Sequence, residues 1–217
     1  MNNNKNNYGE QSTEQIQEFV NKNIGKVAGI FHEVASEYVH LDVIIIEPSE
    51  NQPNYMLITS GMSDKPMNFP FQVNSDTEQH LELIMTLPGD WKLDLKNEKY
   101  YWPIRVLKTL ARFPHQYNTY LGYGHTMQNG DYEPYTEGTK LCGSILVPVL
   151  GGYDDDEPKE KALKIRDNKI IHFYSVLPLY KNEVEFSLEH GHQEFFQKLI
   201  ENDFSLEINI NREPYKL

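Results

Sequence analysis

The chain has 217 residues, with 20 Lys and Arg against 32 Asp and Glu, so its formal net charge is −12 with His neutral. With 39% hydrophobic and 12% aromatic residues it can bury a sizeable core, which excludes wholesale disorder. A charge this negative repels phosphate backbones and anionic lipids, and no local basic cluster offsets it. The composition therefore predicts neither a nucleic-acid-binding nor a membrane-binding protein.

The sequence divides into a short polar tail and one longer segment that is predicted to fold. Residues 1–11 are rich in Asn and lack the basic and apolar stretches of a secretory signal, so we predict a disordered tail followed by one folded domain over residues 12–217. The longest aliphatic run, residues 43–46, is far shorter than the roughly 18 residues that cross a bilayer. The one cysteine, Cys142, has apolar neighbours and is predicted to be a small core residue. We expect a cytoplasmic protein.

A helix is predicted at the start of the domain. Ser12 and Gln15 fit a capping box, and apolar residues then recur at helical spacing, at Ile16, Phe19, Val20, Ile24 and Val27. The spacing continues as far as Tyr38, but Gly25 and Gly29 predict a break in the helix.

The next segments predict a β-hairpin, a third strand and a central helix. Residues 41–47 and 55–59 are β-branched or apolar and are separated by a turn over residues 48–53, while residues 81–87 alternate with period two. After them, Pro103 fits the first turn of a helix and Pro114 is predicted to end it.

The second half predicts further strands and a pair of helices. Residues 141–147 and 170–177 are apolar on both faces, as in buried strands, and the acidic residues 154–160 between them are predicted to form an exposed loop. Pro178 is predicted to open a helix that Gly191 caps, and a second helix follows over residues 195–200. Strict alternation over residues 204–210 predicts a last strand.

The order of these elements indicates the fold class. Strands follow one another without regular intervening helices, and the helices are grouped at the start, middle and end of the chain. This order predicts an α+β domain, with a mixed, largely antiparallel sheet and helices packed around it.

The sequence offers weak signals for enzyme chemistry. Neither the G-x-S-x-G nor the P-loop pattern occurs, and residues 122–125, which resemble a glycine-rich loop, are predicted to form only a shaped turn. His190 and His192 could share a metal with His115, His125 or the acidic residues 154–157. A helix end and a solvated loop explain these residues better, so we predict no metal and no cofactor.

Other candidate catalytic groups also have a structural explanation. Cys142 could pair with a distant His as a nucleophile, and Asp64, Asp90 or Asp94 could act as general bases. A buried strand setting for the cysteine and turn positions for the three carboxylates are the preferred interpretations. We predict no catalytic residue.

Four segments together resemble the suppressor of fused (SUFU) domain family. They are TSGMSDKPMN at residues 59–68, LPGDW at residues 87–91, WPIRVLKTLARFPHQYNTYLGYGHT at residues 102–126, and FYSVLPLYKNEVEFSLEHG at residues 173–191. Each is weak alone, but their order and spacing are specific. The resemblance covers roughly residues 34–200, and the chain looks like the single-domain bacterial members of the family.

The resemblance implies a non-enzymatic protein-binding module of α+β fold. Bacterial relatives resemble immunity proteins or antitoxins that neutralise a cognate toxin, often a nuclease. The acidic surplus fits this role, because an acidic inhibitor is steered electrostatically to a basic substrate groove. Two alternatives stay open: a regulatory protein-binding module with a different partner, and a metal-dependent enzyme. The sequence leaves the oligomeric state open.

Three segments are candidates for contact with the partner. The polar, glycine-punctuated segment after the second predicted strand is the first, and a second lies after the central helix; folding alone could also explain both. The third is the acidic loop. The candidate residues are Thr59, Ser60, Gly61, Met62, Ser63, Asp64, Asn118, Tyr123, Gly124, His125, Asp154, Asp155, Asp156 and Glu157.

Overall fold

A mixed β-sheet forms the centre of the molecule, and helices pack on both of its faces. The computed structural model describes residues 12–33, 38–70, 79–154, 157–166 and 169–217, with the backbone alone for residues 150–154 and 157–160. The strands are β1 (Val27–Phe31), β2 (Asp42–Ile46), β3 (Tyr55–Ser60), β4 (His80–Leu87), β5 (Thr126–Gln128), β6 (Gly143–Pro148), β7 (Leu150–Asp154), β8 (Glu157–Glu160), β9 (Ala162–Arg166) and β10 (Lys169–Leu179). The helices are α1 (Thr13–Asn23), α2 (Glu98–Tyr117), α3 (Lys181–His190) and α4 (His192–Glu201), with a short 3-10 helix at Met62–Asp64.

The strand order of the main sheet is β1-β2-β3-β4-β10-β6-β5, and β9 pairs with β10 beside this path. Among the described strands of this sheet, β4 and β10 are the one parallel pair, and all other pairs are antiparallel. Strands β7 and β8 form a separate hairpin. This topology confirms the predicted α+β class with a mixed, largely antiparallel sheet.

The two faces of the sheet carry separate core clusters because alternate residues of a strand point to opposite sides. Val43, Leu57 and Leu83 pack with the apolar side chains of α2. Their sequence neighbours, including Ile44, Ile58 and Ile84, pack on the other face with Ile16 and Val20 of α1. Because α2 covers one face of the sheet and α1 covers the other, β2, β3 and β4 are apolar on both faces.

A third cluster joins α3 and α4 to the end of the sheet at which β6 and β10 pair. Ile145 and Leu177 of these strands pack with Val184, Phe195 and Leu199 of the two helices. Gly191, at φ 86°, ends α3 and begins α4, which confirms its predicted capping role. The helix pair is therefore held against the sheet near the edge strand β5.

The start of the chain differs from the prediction in two respects. Ser12 makes no side-chain capping bond; its hydroxyl instead accepts a hydrogen bond from the buried ammonium of Lys169 at 2.7 Å. The helix ends at Asn23, and the apolar residues beyond it form β1, which pairs with β2. The helical spacing was misleading there because an edge strand buries its apolar residues only partly and irregularly.

The central helix is longer than predicted at both ends. It begins at Glu98, where the Asn97 side chain accepts a hydrogen bond from the Lys99 N–H, so Pro103 lies inside the helix and not in its first turn. Pro114 does not end it either. The left-handed conformation of Asn118, at φ 50°, ends the helix four residues later.

Three later predictions are wrong in position or kind. Pro178 belongs to β10, whose pairing with β6 continues to Leu179, so α3 begins only at Lys181. The expected acidic loop is largely a hairpin, because Asp154 pairs with Glu157 across β7 and β8. Residues 204–210 form no strand: they make a single bridge, Thr86 with Glu207. Alternating apolar and polar residues indicate only that one side of a segment is buried. A strand also needs a neighbouring strand to pair with along its whole length.

Candidate functional site

The first candidate segment, residues 59–64, is buried where β3 passes into the 3-10 helix. Thr59, Ser60, Met62, Ser63 and Asp64 are each at most 4% exposed, and Gly61 is also buried. Gly61 has φ 122°, and a Cβ atom there would lie 1.9 Å from the His40 carbonyl oxygen. Only glycine fits this turn. The side chains of this candidate segment therefore point into the molecule in the folded chain.

The buried carboxylate of Glu82 organises this segment. Its Oε2 accepts a hydrogen bond from Thr59 Oγ1 at 2.6 Å, and its Oε1 accepts bonds from the Gly61 N–H at 2.9 Å and from both the N–H and the hydroxyl of Ser63 at 3.0 and 2.6 Å. Burial raises the pKa of Glu82, and the four donors act in the opposite direction. The glycine and serine residues of the segment are thus the donors that a buried acceptor requires.

Asp64 links this segment to the start of α1. Its Oδ1 accepts a hydrogen bond from the Ser12 N–H at 3.1 Å. Burial, followed by the nearby charge of Glu82, raises the pKa of Asp64 to about 7, while the Ser12 N–H and the ammonium of Lys169 act against that rise. Because the carboxyl group is 4% exposed and serves as a tether, it is not placed to act as a general base on a substrate.

Two histidines complete the buried network from opposite sides. His80 Nδ1 donates to the Ser63 carbonyl at 2.7 Å, and His115 Nε2 donates to the Met62 carbonyl at 2.9 Å. Burial lowers the pKa of both imidazoles. The two rings therefore fix the backbone of the 3-10 helix, His80 to β4 and His115 to α2.

The second candidate segment lies at the molecular surface, between α2 and β5. Asn118 is exposed, Tyr123 is 45% exposed, and His125 is half-buried. Gly124 adopts φ 73°, and its N–H donates to the Leu146 carbonyl at 2.9 Å. This geometry confirms the predicted shaped turn at residues 122–125.

This turn forms one wall of an open groove beside β5. The groove has a volume of about 620 Å³. Its other wall is the α3–α4 junction, which is tied to β5 by a 2.7 Å hydrogen bond between the hydroxyls of Thr126 and Ser187. The lining residues are Phe113, Thr119, Tyr120, Leu121, Gly124, His125, Thr126, Met127, Gln128, Ser187, Leu188, Gly191 and His192.

Aromatic rings border the groove on the side of α4. The rings of Tyr123 and Phe196 stack with centroids 5.0 Å apart, and His192 meets Tyr123 edge-on at 5.1 Å. Tyr120 packs against His125 at 4.9 Å, and burial together with the nearby His192 lowers the pKa of His125. Leu188 is 57% exposed beside them. Exposed rings and apolar side chains around a groove are typical of a binding surface.

The other predicted residues do not join the groove as a set. Asp154 and Glu157 lie in the β7–β8 hairpin, and Asp155 and Asp156 lie outside the described residues. Cys142 is buried, as predicted, and burial raises the pKa of its thiol. Across the described part of the chain, no three His, Cys, Asp or Glu side chains are arranged to hold a metal ion. Within that same part, no helix has the length and apolar character of a membrane span.

Comparison with known proteins identifies the family. The model of the suppressor of fused protein (SUFU) family matches residues 37–213, which is most of the chain. The chain belongs to the suppressor of fused family. A search of curated proteins finds no significant match. The family match extends across β2, the buried segment, α2 and the groove.

Solved structures share the SUFU fold at low sequence identity. A SUFU homologue from Neisseria gonorrhoeae is 18% identical, with a TM-score of 0.61 over 93% of this chain and 92% of that one. A chain of the Sufu–Fu complex is 13% identical, with a TM-score of 0.65 over 95% of this chain and 93% of that one. Drosophila Suppressor of Fused is 12% identical, with a TM-score of 0.61 over 94% of this chain and 50% of that longer one.

Sequence reasoning missed the residues that organise the two regions. Glu82 is a carboxylate at an apolar strand position, and such a residue signals a buried polar network when the strand is central. Leu188 and Phe196 were assigned only to helices, and His192 only to a helix end or a metal site. Their joint position beside Tyr123 depends on the fold, because more than sixty residues of chain separate the two walls of the groove.

Proposed function

We propose that this SUFU-family protein is a non-enzymatic protein-binding module that acts in the cytoplasm as an immunity protein or antitoxin for a cognate toxin. One observation carries the proposal: an open groove of about 620 Å³, bordered by exposed aromatic and apolar side chains, lies beside an edge strand. Large apolar side chains grouped around an open groove are the usual anchors of protein interfaces.

The position of β5 adds a second way to hold a partner. It is a three-residue strand at the end of the sheet and pairs with β6. An edge strand can add main-chain hydrogen bonds to the contacts that side chains make in a neighbouring groove. A partner segment lying in the groove would therefore be held by both.

Charge supports a basic toxin, such as a nuclease, as the partner. The net charge is −12, and the acidic side chains of α3 and α4 lie on the helices that border the groove. A basic partner would be attracted over several ångströms before contact, which raises the association rate. The absence of enzymatic activity is part of the proposal. The buried acidic groups, Glu82 and Asp64, are occupied by structural hydrogen bonds.

The test is co-expression with a candidate toxin domain from a neighbouring reading frame, scored by survival of the host. We expect the protein to restore growth and to form a stable complex with a catalytically inactive version of that toxin in titration calorimetry. An unrelated toxin of similar charge is the control, since bulk electrostatics would bind both. Binding to a protein that is not a toxin, without rescue, would favour the alternative of a regulatory module.

A further inference from the structure

Two histidines lie on the facing walls of the groove. His125 belongs to the turn that forms one wall, and His192 begins α4 on the other wall; both side chains are half-buried and line the groove. The His192 side chain lies directly against the backbone of Gly124, since a Cβ atom at that glycine would be 2.4 Å from His192 Cγ. The two histidines are therefore part of the contact that joins the walls.

These two rings lack the polar partners that other histidines of the molecule have. His80 and His115 are hydrogen-bonded to main-chain carbonyls at 2.7 and 2.9 Å, and His190 pairs with two glutamates at 4.0 and 3.6 Å. Among the residues that the structure describes, the imidazoles of His125 and His192 make ring contacts but no hydrogen bond or ion pair. No carboxylate is among the residues that line the groove. A proton on either ring therefore has no anion beside it in the groove.

The charge states of the two rings are coupled. Burial lowers the pKa of the His125 imidazole below its ordinary value of 6.5, and the positive charge of His192 lowers it further. Tyr120, whose ring packs against His125 at 4.9 Å, adds a phenol to the groove. The groove side chains that α2, β5 and α3 contribute are uncharged: Phe113, Thr126, Met127, Gln128, Ser187 and Leu188. A second positive charge in the groove is therefore opposed by the first.

We propose that His125 and His192 form a pH-sensitive latch across the groove: the turn and α4 stay in contact while both rings are neutral, and the contact loosens when acid charges both. When the walls separate, the His125 ring gains water and its pKa returns towards 6.5, so the loosened form binds the proton more tightly. The latch is therefore at full strength above about pH 6.5 and weakens as pH falls from there to the lowered pKa.

The latch also has a consequence for partner binding, which rests on the proposed function. A basic partner in the groove meets two positive rings after acidification, and like charges across an interface weaken the complex. Binding in the groove should therefore be tighter at neutral than at acidic pH. The latch itself is a property of the free protein and is tested without a partner.

The test follows the imidazole signals of the full-length, isotope-labelled protein by NMR between about pH 4.5 and pH 8. We expect His125 to titrate below its ordinary value of 6.5 and His192→Gln to raise the pKa of His125, because the variant removes the opposing charge. His190→Gln is the matched control. His190 lies two residues from His192 but pairs with glutamates, so its replacement should leave the His125 titration unchanged.

A second measurement in the same titration reports the contact between the walls. The ring centroids of Tyr123 and His192 are 5.1 Å apart, so cross-relaxation between them is expected at neutral pH and should be lost as His125 becomes charged. The double variant His125→Gln with His192→Gln carries no charge at either position. Its turn should keep the same main-chain signals, including that of the Gly124 N–H, at both ends of the pH range. Thermal melting at neutral pH verifies that each variant is folded.

The inference and the proposed function fail in different ways. A His125 pKa at or above 6.5 would show that the Tyr120 ring stabilises the charged imidazole, and would overturn the latch. Wall contacts that persist in acid, or that are lost equally in the double variant, would overturn it as well. Rescue from the toxin at neutral pH would be unaffected by any of these results. Conversely, a working latch in a protein that rescues no host would overturn the immunity function and leave the latch standing.

Discussion

Ser63 donates two hydrogen bonds to one oxygen of Glu82, one from its backbone N–H at 3.0 Å and one from its hydroxyl at 2.6 Å. Since Glu82 is fully buried, these bonds replace the water that an exposed carboxylate would have. The pair joins the 3-10 helix to the central strand β4. Residues that resemble a recognition motif in the sequence are therefore the internal support of this end of the sheet.

Removal of the Glu82 carboxylate should destabilise the fold strongly. Glu82→Ala leaves the donors of Thr59, Gly61 and Ser63 without their acceptor, and we expect the free energy of unfolding to fall by roughly 3 kcal/mol. Urea unfolding followed by tryptophan fluorescence measures the change. Glu47→Ala, at an exposed position after β2, is the control and should stay within about 0.5 kcal/mol of the wild type. Equal values for the two variants would contradict the proposed support role.

Asp64 should make stability depend on pH in the neutral range. Burial raises the pKa of Asp64 in the folded protein to about 7, against 3.8 for a solvated aspartate. The folded state therefore binds the proton more tightly than the unfolded state. The resulting stabilisation is complete below about pH 4 and is lost as pH rises to about 7, with a limiting slope of about 1.4 kcal/mol per pH unit.

The measurement compares the wild type with Asp64→Asn between pH 4 and pH 8 by urea unfolding. Relative to the variant, the wild type should lose stability as pH rises through this window and then level off. The exposed turn residue Asp90 provides the matched control, Asp90→Asn. A constant difference between the wild type and Asp64→Asn at every pH would disprove the assignment.

Two glycines two residues apart should respond differently to alanine. Gly124 has φ 73°, and an added Cβ would lie 2.4 Å from Cγ of His192, so Gly124→Ala strains the backbone and displaces one wall of the groove. Gly122 has no heavy atom within 4 Å of an added Cβ. We expect Gly124→Ala to lower the free energy of unfolding by about 1–3 kcal/mol and to shift the NMR signal of His192, with Gly122→Ala near wild type. Similar effects at both glycines would show that the turn does not need its left-handed residue.

Association with a basic toxin should be sensitive to salt. Screening reduces the field to a Debye length of about 8 Å at physiological ionic strength, so stopped-flow association should slow steeply with added salt while dissociation changes less. Neutralising Asp154, Asp155, Asp156 and Glu157 to Asn and Gln should slow association about tenfold at low salt. Glu14, Glu18, Glu47 and Glu50, all exposed, are neutralised together as the control for the same change in net charge. If neither salt nor the first variant alters the rate, electrostatic steering is not part of the mechanism.

An element could be predicted from the sequence where its own residues determine it, and was missed where residues elsewhere in the chain determine it. The hairpin of β2 and β3, and the strands β4, β6 and β10, could be predicted because burial on both faces leaves continuous apolar runs in the sequence. Strand β1 was missed because its identity depends on pairing with β2, which the residues of β1 do not encode by themselves. The start of α2 was missed because Asn97, and not Pro103, caps it.

Contact of the candidate segments with a partner stays a prediction, and only the turn of the surface segment could be inferred from the sequence. This segment borders the groove through Gly124 and His125, and its turn could be inferred from glycine spacing. The burial of residues 59–64 could not be inferred, because their acceptor Glu82 is about twenty residues away. Ser12, which bonds to Asp64, is itself held by Lys169, 157 residues further along the chain. Polar residues beside glycine have the same sequence pattern whether they face solvent or a buried charge.

The parallel pairing of β4 with β10 constrains when the protein can fold during its synthesis. His80 of β4 lies beside Ile171 of β10, so the two central strands meet only after the ribosome has made most of the chain. Until then β4, with its run of buried apolar residues, has one unpaired edge that faces other nascent chains. Folding must therefore wait for a contact across on the order of 90 residues, which predicts slow folding and a need for chaperones during rapid expression. Termination of translation between β4 and β10 would yield a fragment that aggregates.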